Sequence, residues 1–290
     1  MRIGIDLGGT KTEGIVMAAD GAILARERRP TPAAAGYDAI VADIAELVAQ
    51  LERQAGKPCR VGIGTPGALS QTGLLKNSNT VCLNGRPLLR DLERTLARPV
   101  RLANDANCFA LSEAQDGAAQ GYGVVFGVIM GTGVGGGVVF HGRLHEGPQR
   151  IAGEWGHNVL EPDGPPCYCG RRGCVETLIS GPGLARDFGR DVTPTDIVAR
   201  AAAGEPQAQA TLARFMDRFG RALATVVNIL DPDCIVLGGG LSNIADLYTD
   251  GRAAVARHVF NNEAFATPVV PNVHGDSSGV RGAAQLWPRE

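Results

Sequence analysis

One pattern occurs twice in this chain: an apolar strand ends in a turn containing glycine and threonine, and the turn leads into a second strand. The first turn is Leu7–Thr10 and the second is Gly131–Gly133, about 120 residues later. The predicted flanking strands are Ile3–Asp6 and Thr12–Ala18 in the first copy, and Val124–Met130 and Val134–Phe140 in the second. Solenoid units are only roughly 20–50 residues long. The repeat therefore predicts two related lobes and not a solenoid.

The rest of the pattern predicts that both lobes combine strands with helices. Apolar residues recur at helical spacing between Tyr37 and Leu51, which predicts an amphipathic helix. Further helices are expected at about Ala106–Gln115 and Gln207–Leu230. Strands that lead into helices through glycine turns are typical of the α/β class. The strand pattern restarts after Asp116–Gly121, so we place the lobe boundary there.

Charge and hydropathy narrow the classes of function. The 290 residues carry 28 Lys and Arg against 30 Asp and Glu, a net charge of −2. A broad basic surface for nucleic acid or anionic membrane is therefore not expected, and no stretch approaches the ~20 apolar residues of a membrane span. The first residues lack the apolar region of a signal peptide. We expect a cytoplasmic protein with no nucleic-acid or membrane partner.

Three glycine clusters, each after a predicted strand, are candidate phosphate sites. They are Gly8, Gly9, Thr10 and Lys11; then Gly131, Thr132 and Gly133, which begin a run to Gly137; and finally Gly238, Gly239 and Gly240. Glycine lets backbone N–H groups approach a phosphate without a Cβ in the way. Asp6, at the end of its strand, is placed to meet a Mg²⁺ ion that accompanies nucleotide phosphates. A single such turn is as readily a plain hairpin, but three together favour a nucleotide site.

The second cluster also has the spacing of a dinucleotide-binding fingerprint, Gly131-x-Gly133-x-x-Gly136. That fingerprint requires a helix directly after it, whereas the chain continues into another strand, Val138–Phe140. A dinucleotide-dependent oxidoreductase is therefore a weak alternative.

Asn104-Asp105 lies where a predicted strand meets a predicted helix. Aspartate is a favoured N-cap residue, and capping alone would account for Asp105. The functional interpretation is that Asp105 takes the proton from a substrate hydroxyl as that hydroxyl attacks a γ-phosphate. Phosphoryl transfer depends on positioning and on one such base. Both roles remain open at this point.

One histidine and three cysteines, His157, Cys167, Cys169 and Cys174, lie within eighteen residues. They match the ligand set of a closed, structural zinc site, with no position left for water. The site would hold a loop that carries Glu154 and Glu176, whose carboxylates suit sugar hydroxyls. Surface charge is the alternative for these two acids. The other cysteines are expected to be buried thiols: Cys59, Cys82, Cys108 and Cys234.

These motifs together resemble the ROK family of bacterial sugar kinases. The residues that carry the likeness are Asp6-x-Gly8-Gly9-Thr10-Lys11, Glu154-x-Gly156-His157 and Cys167-x-Cys169-Gly170-x-x-Gly173-Cys174-x-Glu176. The resemblance spans essentially the whole chain and implies the two-lobed actin/hexokinase-like (RNase H-like) α/β fold. It places an N-terminal lobe at 1–116, a C-terminal lobe with the zinc loop at 117–275, and a C-terminal helix at 276–290 that returns to the N-terminal lobe.

The resemblance also implies roles for single residues. Asp105 would be the catalytic base, and His157 would bind both sugar and zinc through its two ring nitrogens. The sugar contacts implied are Asn79, Asn104, Asp105, Glu154, His157 and Glu176. The ATP phosphates would lie at Gly8–Lys11 and Gly131–Gly133, and adenosine near Gly239-Gly240. ATP, Mg²⁺ and a structural Zn²⁺ are the expected cofactors, and a homodimer is expected.

Within the family, the chain is most similar to the fructokinases that also act on mannose. The likeness rests on Asn77–Thr80 with Leu83–Gly85, Ala152–Asn158 and His274–Ala284. We therefore expect an ATP-dependent hexokinase acting on the 6-hydroxyl of fructose. The segments Asn104–Ala114 and Gly131–Gly137 fit the N-acetylglucosamine kinase and glucokinase branches equally well. A non-catalytic sugar sensor of the same fold is the alternative from another class, and an intact Asp105 disfavours it.

Overall fold

Two five-stranded sheets form the framework of the computed structural model, which describes residues 1–189 and 192–288. The strands of the first lobe are β1 (Arg2–Leu7), β2 (Lys11–Met17), β3 (Ile23–Pro30), β4 (Arg60–Thr65), the short pair β5 (Ala68–Leu69) and β6 (Leu75–Lys76), and β7 (Val100–Asn104). Those of the second are β8 (Val124–Met130), β9 (Val134–Phe140), β10 (Arg143–His145), β11 (Cys234–Gly238) and β12 (Val269–Pro271).

The two sheets have the same topology. The first has the order β3-β2-β1-β4-β7 and the second β10-β9-β8-β11-β12. In each sheet the first three strands pair antiparallel and the last two join in parallel. The repeat seen in the sequence is therefore a duplicated fold. It confirms the α/β class with two related lobes and fits the actin/hexokinase-like architecture.

The helices pack on the faces of these sheets. They are α1 (Tyr37–Ala55), α2 (Leu88–Leu96), α3 (Asp105–Asp116), α4 (Val175–Ile179), α5 (Gly181–Phe188), α6 (Pro194–Ala202), α7 (Pro206–Leu230), α8 (Asp250–His258) and α9 (Ser278–Gln285). All seven apolar residues of the predicted stripe on α1 are buried, where they join Ile3 and Ile5 of β1 in the core of the first lobe. In the second lobe, α7 supplies Phe215 and Phe219 to the corresponding core.

Two helices, α3 and α9, lie between the lobes. Phe109 and Ala110 of α3 belong to a buried cluster with β8 and β11 of the second sheet. Val280 and Ala284 of α9 are buried against β2 of the first sheet. The helices meet at Gly282, where a Cβ would overlap the carbonyl of Cys108. Each lobe thus contributes one sheet face to a central helix pair.

Helix α9 falls inside the segment for which the family resemblance implied a C-terminal helix. Its backbone approaches the first sheet so closely that a Cβ at Gly62 of β4 would overlap the carbonyl of Ala283. The last two residues of that predicted segment, Arg289 and Glu290, lie outside the described residues.

Among the described residues, no helix has both the length and the apolar character needed to cross a lipid bilayer.

Candidate active site

Asp105 is the first residue of α3, but it is not the residue that caps the helix. Asn104 is the N-cap: its Oδ1 accepts from the N–H of Ala106 at 2.9 Å and of Asn107 at 3.4 Å. Its Nδ2 donates to the carbonyl of Gly67 at 3.1 Å, which ties the helix start to the turn after β4. The N-cap explanation for Asp105 is therefore wrong, because the neighbouring asparagine already serves that role.

Asp6 and Asp105 lie at the same edge of the first sheet. Strands β1, β4 and β7 run parallel, and their register aligns Asp6 with Gly64 and Gly64 with Ala103. The carboxyl ends of parallel strands share one edge, so Asp6 and the start of α3 are separated by about two strand spacings, roughly 10 Å. Two carboxylates at one sheet edge are the kind of ligand that suits a phosphate-bound cation.

Burial dominates the electrostatics of both carboxylates. Burial, together with the charges of Asp105 and Glu13 and against the opposing charge of Lys11, raises the pKa of Asp6 to about 7. Burial and the charge of Glu154 raise the pKa of Asp105 to about 6, against the opposing hydrogen bond from the N–H of Ala106. A carboxyl pKa raised in this way suits proton transfer near neutral pH.

The first glycine turn connects β1 to β2 and faces a loop of the same lobe. The N–H of Gly8 donates to the carbonyl of Lys11 at 3.0 Å, whereas the side chains of Thr10 and Lys11 are exposed. A Cβ placed on Gly9 would lie 3.2 Å from Oγ1 of Thr80 and 4.0 Å from Oδ1 of Asn79. The structure therefore places Asn79 beside a candidate phosphate turn.

The second and third glycine turns lie side by side in the other lobe. The N–H of Gly131 donates to the carbonyl of Gly133 at 2.9 Å and closes the turn after β8, with Thr132 exposed at its tip. Gly239 follows β11, the parallel neighbour of β8. It has φ +78°, and a Cβ there would overlap the carbonyl of Met130. Next to it Gly240 faces open space, so the two turns form one glycine-lined edge.

Glu154 and His157 are positioned by contacts of the residues between them. Nε1 of Trp155 donates to the carbonyl of Gly135 on β9 at 3.0 Å. Gly156 approaches β9 so closely that a Cβ would overlap the carbonyl of Val134. The short 3₁₀ helix Trp155–His157 is therefore fixed on the second sheet, next to the second glycine turn.

Glu154 lies electrostatically between Asp105 and the remaining acids. Burial raises its pKa, the charge of Glu176 raises it further, and those of His157 and Lys76 lower it. Glu176 lies in the first turn of α4, and its Oε2 accepts from the N–H of Val134 at 3.0 Å. The structure thus brings Asp105, Glu154, His157 and Glu176 into one cluster beside the second glycine turn.

His157, Cys167, Cys169 and Cys174 converge, and their candidate ligand atoms all lie within 4.8 Å of one another. Nδ1 of His157 is 3.6 Å from Sγ of Cys167, and Sγ of Cys169 is 3.6 Å from Sγ of Cys174. Tetrahedral zinc with Zn–S bonds of about 2.3 Å places its sulfurs about 3.8 Å apart. The donor set and its spacing therefore fit zinc.

One contact at this cluster had no signal in the sequence. Nε2 of His157, the nitrogen that faces away from the cysteines, lies 3.0 Å from the hydroxyl of Tyr168. The two rings pack edge to face, and Tyr168 is 77% exposed. The exposed phenol of Tyr168 thus engages Nε2 of His157, the ring nitrogen that the family resemblance leaves for binding sugar.

The remaining cysteines differ in one case from the expectation of buried thiols. Cys59, Cys108 and Cys234 are buried, whereas Cys82 is partly exposed on a short 3₁₀ turn. The apolar neighbours of Cys82 in the sequence, Val81 and Leu83, pointed to burial, but Val81 is itself exposed.

A second unpredicted contact joins the two lobes. Nζ of Lys76, on β6 of the first lobe, donates to the carbonyl of Gln149 in the second lobe at 3.1 Å. No motif marked Lys76, because one lysine in a hairpin has no distinguishing pattern.

Comparison with known proteins places the chain among sugar kinases and their relatives. It is 39% identical over 307 residues to an N-acetyl-D-glucosamine kinase of Escherichia coli O127:H6, with 99% of each chain covered. It superposes on the ROK hexokinase from Thermus thermophilus with a TM-score of 0.88 at 36% identity, covering 98% of this chain and 96% of that one. A ROK family glucokinase from Streptomyces griseus, solved with glucose and AMPPNP, gives a TM-score of 0.80 at 29% identity, with 100% and 99% covered.

The relatives correspond to the family that the motifs suggested, and those at 39% identity leave the fructokinase branch unconfirmed. The family model described as "ROK family" matches residues 2–290, and the relatives at 39% identity are N-acetyl-D-glucosamine kinases. The chain therefore belongs to the ROK family.

Proposed function

We propose that this protein transfers the γ-phosphoryl group of ATP to the 6-hydroxyl of a hexose. The observation that carries the proposal is the position of Asp105. Its neighbour caps the helix, its pKa is raised to about 6, and Glu154 lies close enough to influence it. A carboxylate with these properties, between glycine turns and a cluster of acids, suits a phosphoryl-transfer base.

Different parts of the site would bind the two substrates, the glycine turns ATP and the polar side chains the sugar. Gly8–Lys11 and Gly131–Gly133 would bind the ATP phosphates through backbone N–H groups, and Gly239-Gly240 would lie near adenosine. Asp6 would hold Mg²⁺, which neutralises phosphate charge when bound. Glu154, His157 and Glu176 of the second lobe would accept from or donate to sugar hydroxyls, and Asn79 and Asn104 would do so from the first lobe.

Asp105 would act on the hydroxyl that reacts. As the sugar 6-oxygen forms its bond to the γ-phosphorus, the bond from phosphorus to the β,γ-bridging oxygen breaks. Asp105 takes the hydroxyl proton, and ADP leaves with the bond electrons. Closing the lobes around the sugar would exclude water, the competing acceptor.

The proposed metal supports the sugar side of the site. His157 would use Nδ1 for zinc, because that nitrogen faces Cys167, and would offer Nε2 to the sugar after Tyr168 moves aside. Zinc supplies a fixed anchor for the loop when bound. The loop carries His157 itself, and α4 begins directly after Cys174 and presents Glu176.

N-acetyl-D-glucosamine is the hexose we propose, in place of the fructose expected from the motifs. The support is the identity of 39% to N-acetyl-D-glucosamine kinases across nearly the whole chain. The ROK hexokinase and glucokinase matched at 36% and 29% identity make glucose the second candidate.

A panel of N-acetylglucosamine, glucose, mannose and fructose in an ATP-coupled assay would rank the substrates. We expect the highest kcat/KM with N-acetylglucosamine, at least ~10-fold above fructose, since one or two differing polar contacts discriminate at about this level. Omission of ATP from each reaction is the control. A highest value with fructose would overturn the choice of sugar and restore the interpretation drawn from the motifs.

Activity should depend on pH through Asp105. The base works only when ionised, and its pKa is raised to about 6, so kcat/KM for the sugar should fall about tenfold for each pH unit below about 6 and level off above it. Protonation of Asp6, with a pKa raised to about 7, would weaken the hold on Mg²⁺ in the same direction. The profile is measured at saturating Mg²⁺ and ATP. A flat profile between about pH 5 and pH 8 would exclude this role.

A non-catalytic sugar sensor stays the alternative from another class, and turnover in the panel separates it from a kinase. The cytoplasmic location and the homodimer remain predictions. Cell fractionation tests the first and light scattering the second.

A further inference from the structure

Two segments of the chain cross between the lobes, and one buried carboxylate contacts both. The first crossing, 117–123, joins α3 to β8, and the second, 272–277, joins β12 to α9. Glu113, near the end of α3, is 0% exposed. A carboxylate is removed from water this completely only when hydrogen bonds replace its hydration.

Four donors replace that hydration: three lie in the two crossings, and the fourth is the first residue of α9. Oε2 of Glu113 accepts from the N–H of Ala118 at 2.9 Å and of Val273 at 3.1 Å. Oε1 accepts from the N–H of His274 at 3.3 Å and from the hydroxyl of Ser278 at 2.8 Å. All four donors are neutral, so the carboxylate is held by directed hydrogen bonds and not by an ion pair.

The surrounding packing fixes this carboxylate in place. A Cβ on Gly117 would overlap the carboxylate of Glu113. Only glycine at position 117 therefore lets the first crossing follow this path. One turn further along α3, Asp116 accepts from Nε2 of His274 at 3.0 Å and from Nη2 of Arg281 at 2.8 Å. The end of α3 is therefore bonded to the second crossing at two positions one turn apart, Glu113 and Asp116.

Helix α3 connects these crossings to the proposed base. Glu113 follows Asp105 by eight residues, about 12 Å along a helix axis. Between them, Ala110 packs so tightly on the second sheet that a Cβ at Gly137 would lie 2.8 Å from its Cβ. Cys108 touches α9 at Gly282. A helix packed on both sides moves as one body, so a shift at one end displaces the other.

We propose that Glu113 is a positioning residue that joins the two crossings into a single hinge and so sets the place of Asp105 when the lobes close. The proposal rests on the kinase function proposed above. A carboxylate can accept from both crossings at once, whereas the amide of glutamine has one accepting oxygen and a donating nitrogen. Glu113→Gln would therefore keep the shape of the side chain but place an NH₂ group at one of the two oxygen positions. Either the N–H of His274 and the hydroxyl of Ser278, or the N–H groups of Ala118 and Val273, would lose their acceptor, so the second crossing loses a backbone bond in both cases.

Amide hydrogen exchange on the full chain tests the hinge directly. In Glu113→Gln we expect exchange to be ~10-fold or more faster at the backbone N–H groups that lose their acceptor, either that of His274 or those of both Ala118 and Val273, because a lost hydrogen bond that leaves a buried group unpaired costs about this factor. We expect kcat to fall ~10-fold or more, with KM for the sugar within about threefold. Both are measured well below the melting temperature, which separates positioning from loss of stability.

Glu52→Gln is the matched control. Glu52 also accepts from a backbone N–H, that of Cys59 at 2.7 Å, but it lies within the first lobe on α1. Its variant should leave exchange at the crossings and kcat unchanged. If Glu113→Gln fails to fold, Ser278→Ala removes one donor instead and should shift both readouts in the same direction by a smaller factor.

Three results would overturn the hinge proposal. They are unchanged exchange at both crossings in Glu113→Gln, a lowered melting temperature of that variant with wild-type kcat, or equal effects of Glu52→Gln on exchange at the crossings and on kcat. Failure of the proposed function gives a different result. In that case the wild-type protein phosphorylates no hexose, while the exchange difference between the variants persists.

Discussion

Asp105→Asn should lower kcat at least ~10²-fold, the contribution typical of a general base in proton transfer. The asparagine keeps an oxygen that can accept from the N–H of Ala106, the bond Asp105 makes at 2.8 Å, so the start of α3 should persist. It loses the ability to take a proton. KM for the sugar should change much less than kcat, because the lost interaction arises as the proton moves. Steady-state kinetics with melting curves measure both.

Asp38→Asn is the control for this variant. Asp38 also lies in the first turn of a helix, α1, but it is exposed and the site does not include it. Its replacement should leave kcat unchanged. An Asp105→Asn protein with near wild-type kcat would remove the base from the mechanism, and a protein that also melts far below wild type would assign Asp105 a structural role.

Cys169→Ser should release the proposed metal. We expect about one zinc per chain in the native protein by elemental analysis, since four protein ligands complete a structural site. Loss of one thiolate should empty the site and raise KM for the sugar at least ~10-fold, because His157 and the start of α4 lose their shared anchor. Cys169 is the exposed member of the cluster, so the replacement itself leaves no cavity in the core.

Cys59→Ser serves as the control for the metal. Cys59 is a buried thiol outside the cluster that donates to the carbonyl of Lys57 at 3.5 Å, a bond that serine can keep. Its zinc content and KM should match wild type. A native protein that is folded and active without zinc would contradict the site, as would a Cys169→Ser protein with full zinc content.

Much of the fold could be predicted because its sequence signals are local. The strands β8 and β9 occupy the predicted residues, Val124–Met130 and Val134–Phe140, since continuous apolar runs between glycine turns have few alternatives. Strands β10 and β12 were not predicted. Each has only three residues, too few for any periodicity, and each forms only because a longer neighbour provides an edge.

The candidate site was predictable to the extent that its chemistry requires unusual residue combinations. The cysteines and His157 could be found by spacing alone. The division of roles between Asn104 and Asp105 could not, because both are good caps and only the observed hydrogen bonds assign the cap to Asn104. Glu113 was missed for a related reason. A glutamate inside an amphipathic helix indicates a solvated face, and the burial of Glu113 depends in part on Val273, 160 residues later in the chain.

Product analysis by ³¹P NMR tests the central claim most directly. The native protein is incubated with ATP, Mg²⁺ and N-acetylglucosamine, and in parallel with the other three hexoses. The account predicts that the γ-phosphate signal of ATP disappears while ADP and a sugar 6-phosphate ester appear in equal amounts. It also predicts that Asp105→Asn forms almost none of the ester in the same time. Release of inorganic phosphate without an ester, or no reaction with any of the four sugars, would contradict a hexose kinase.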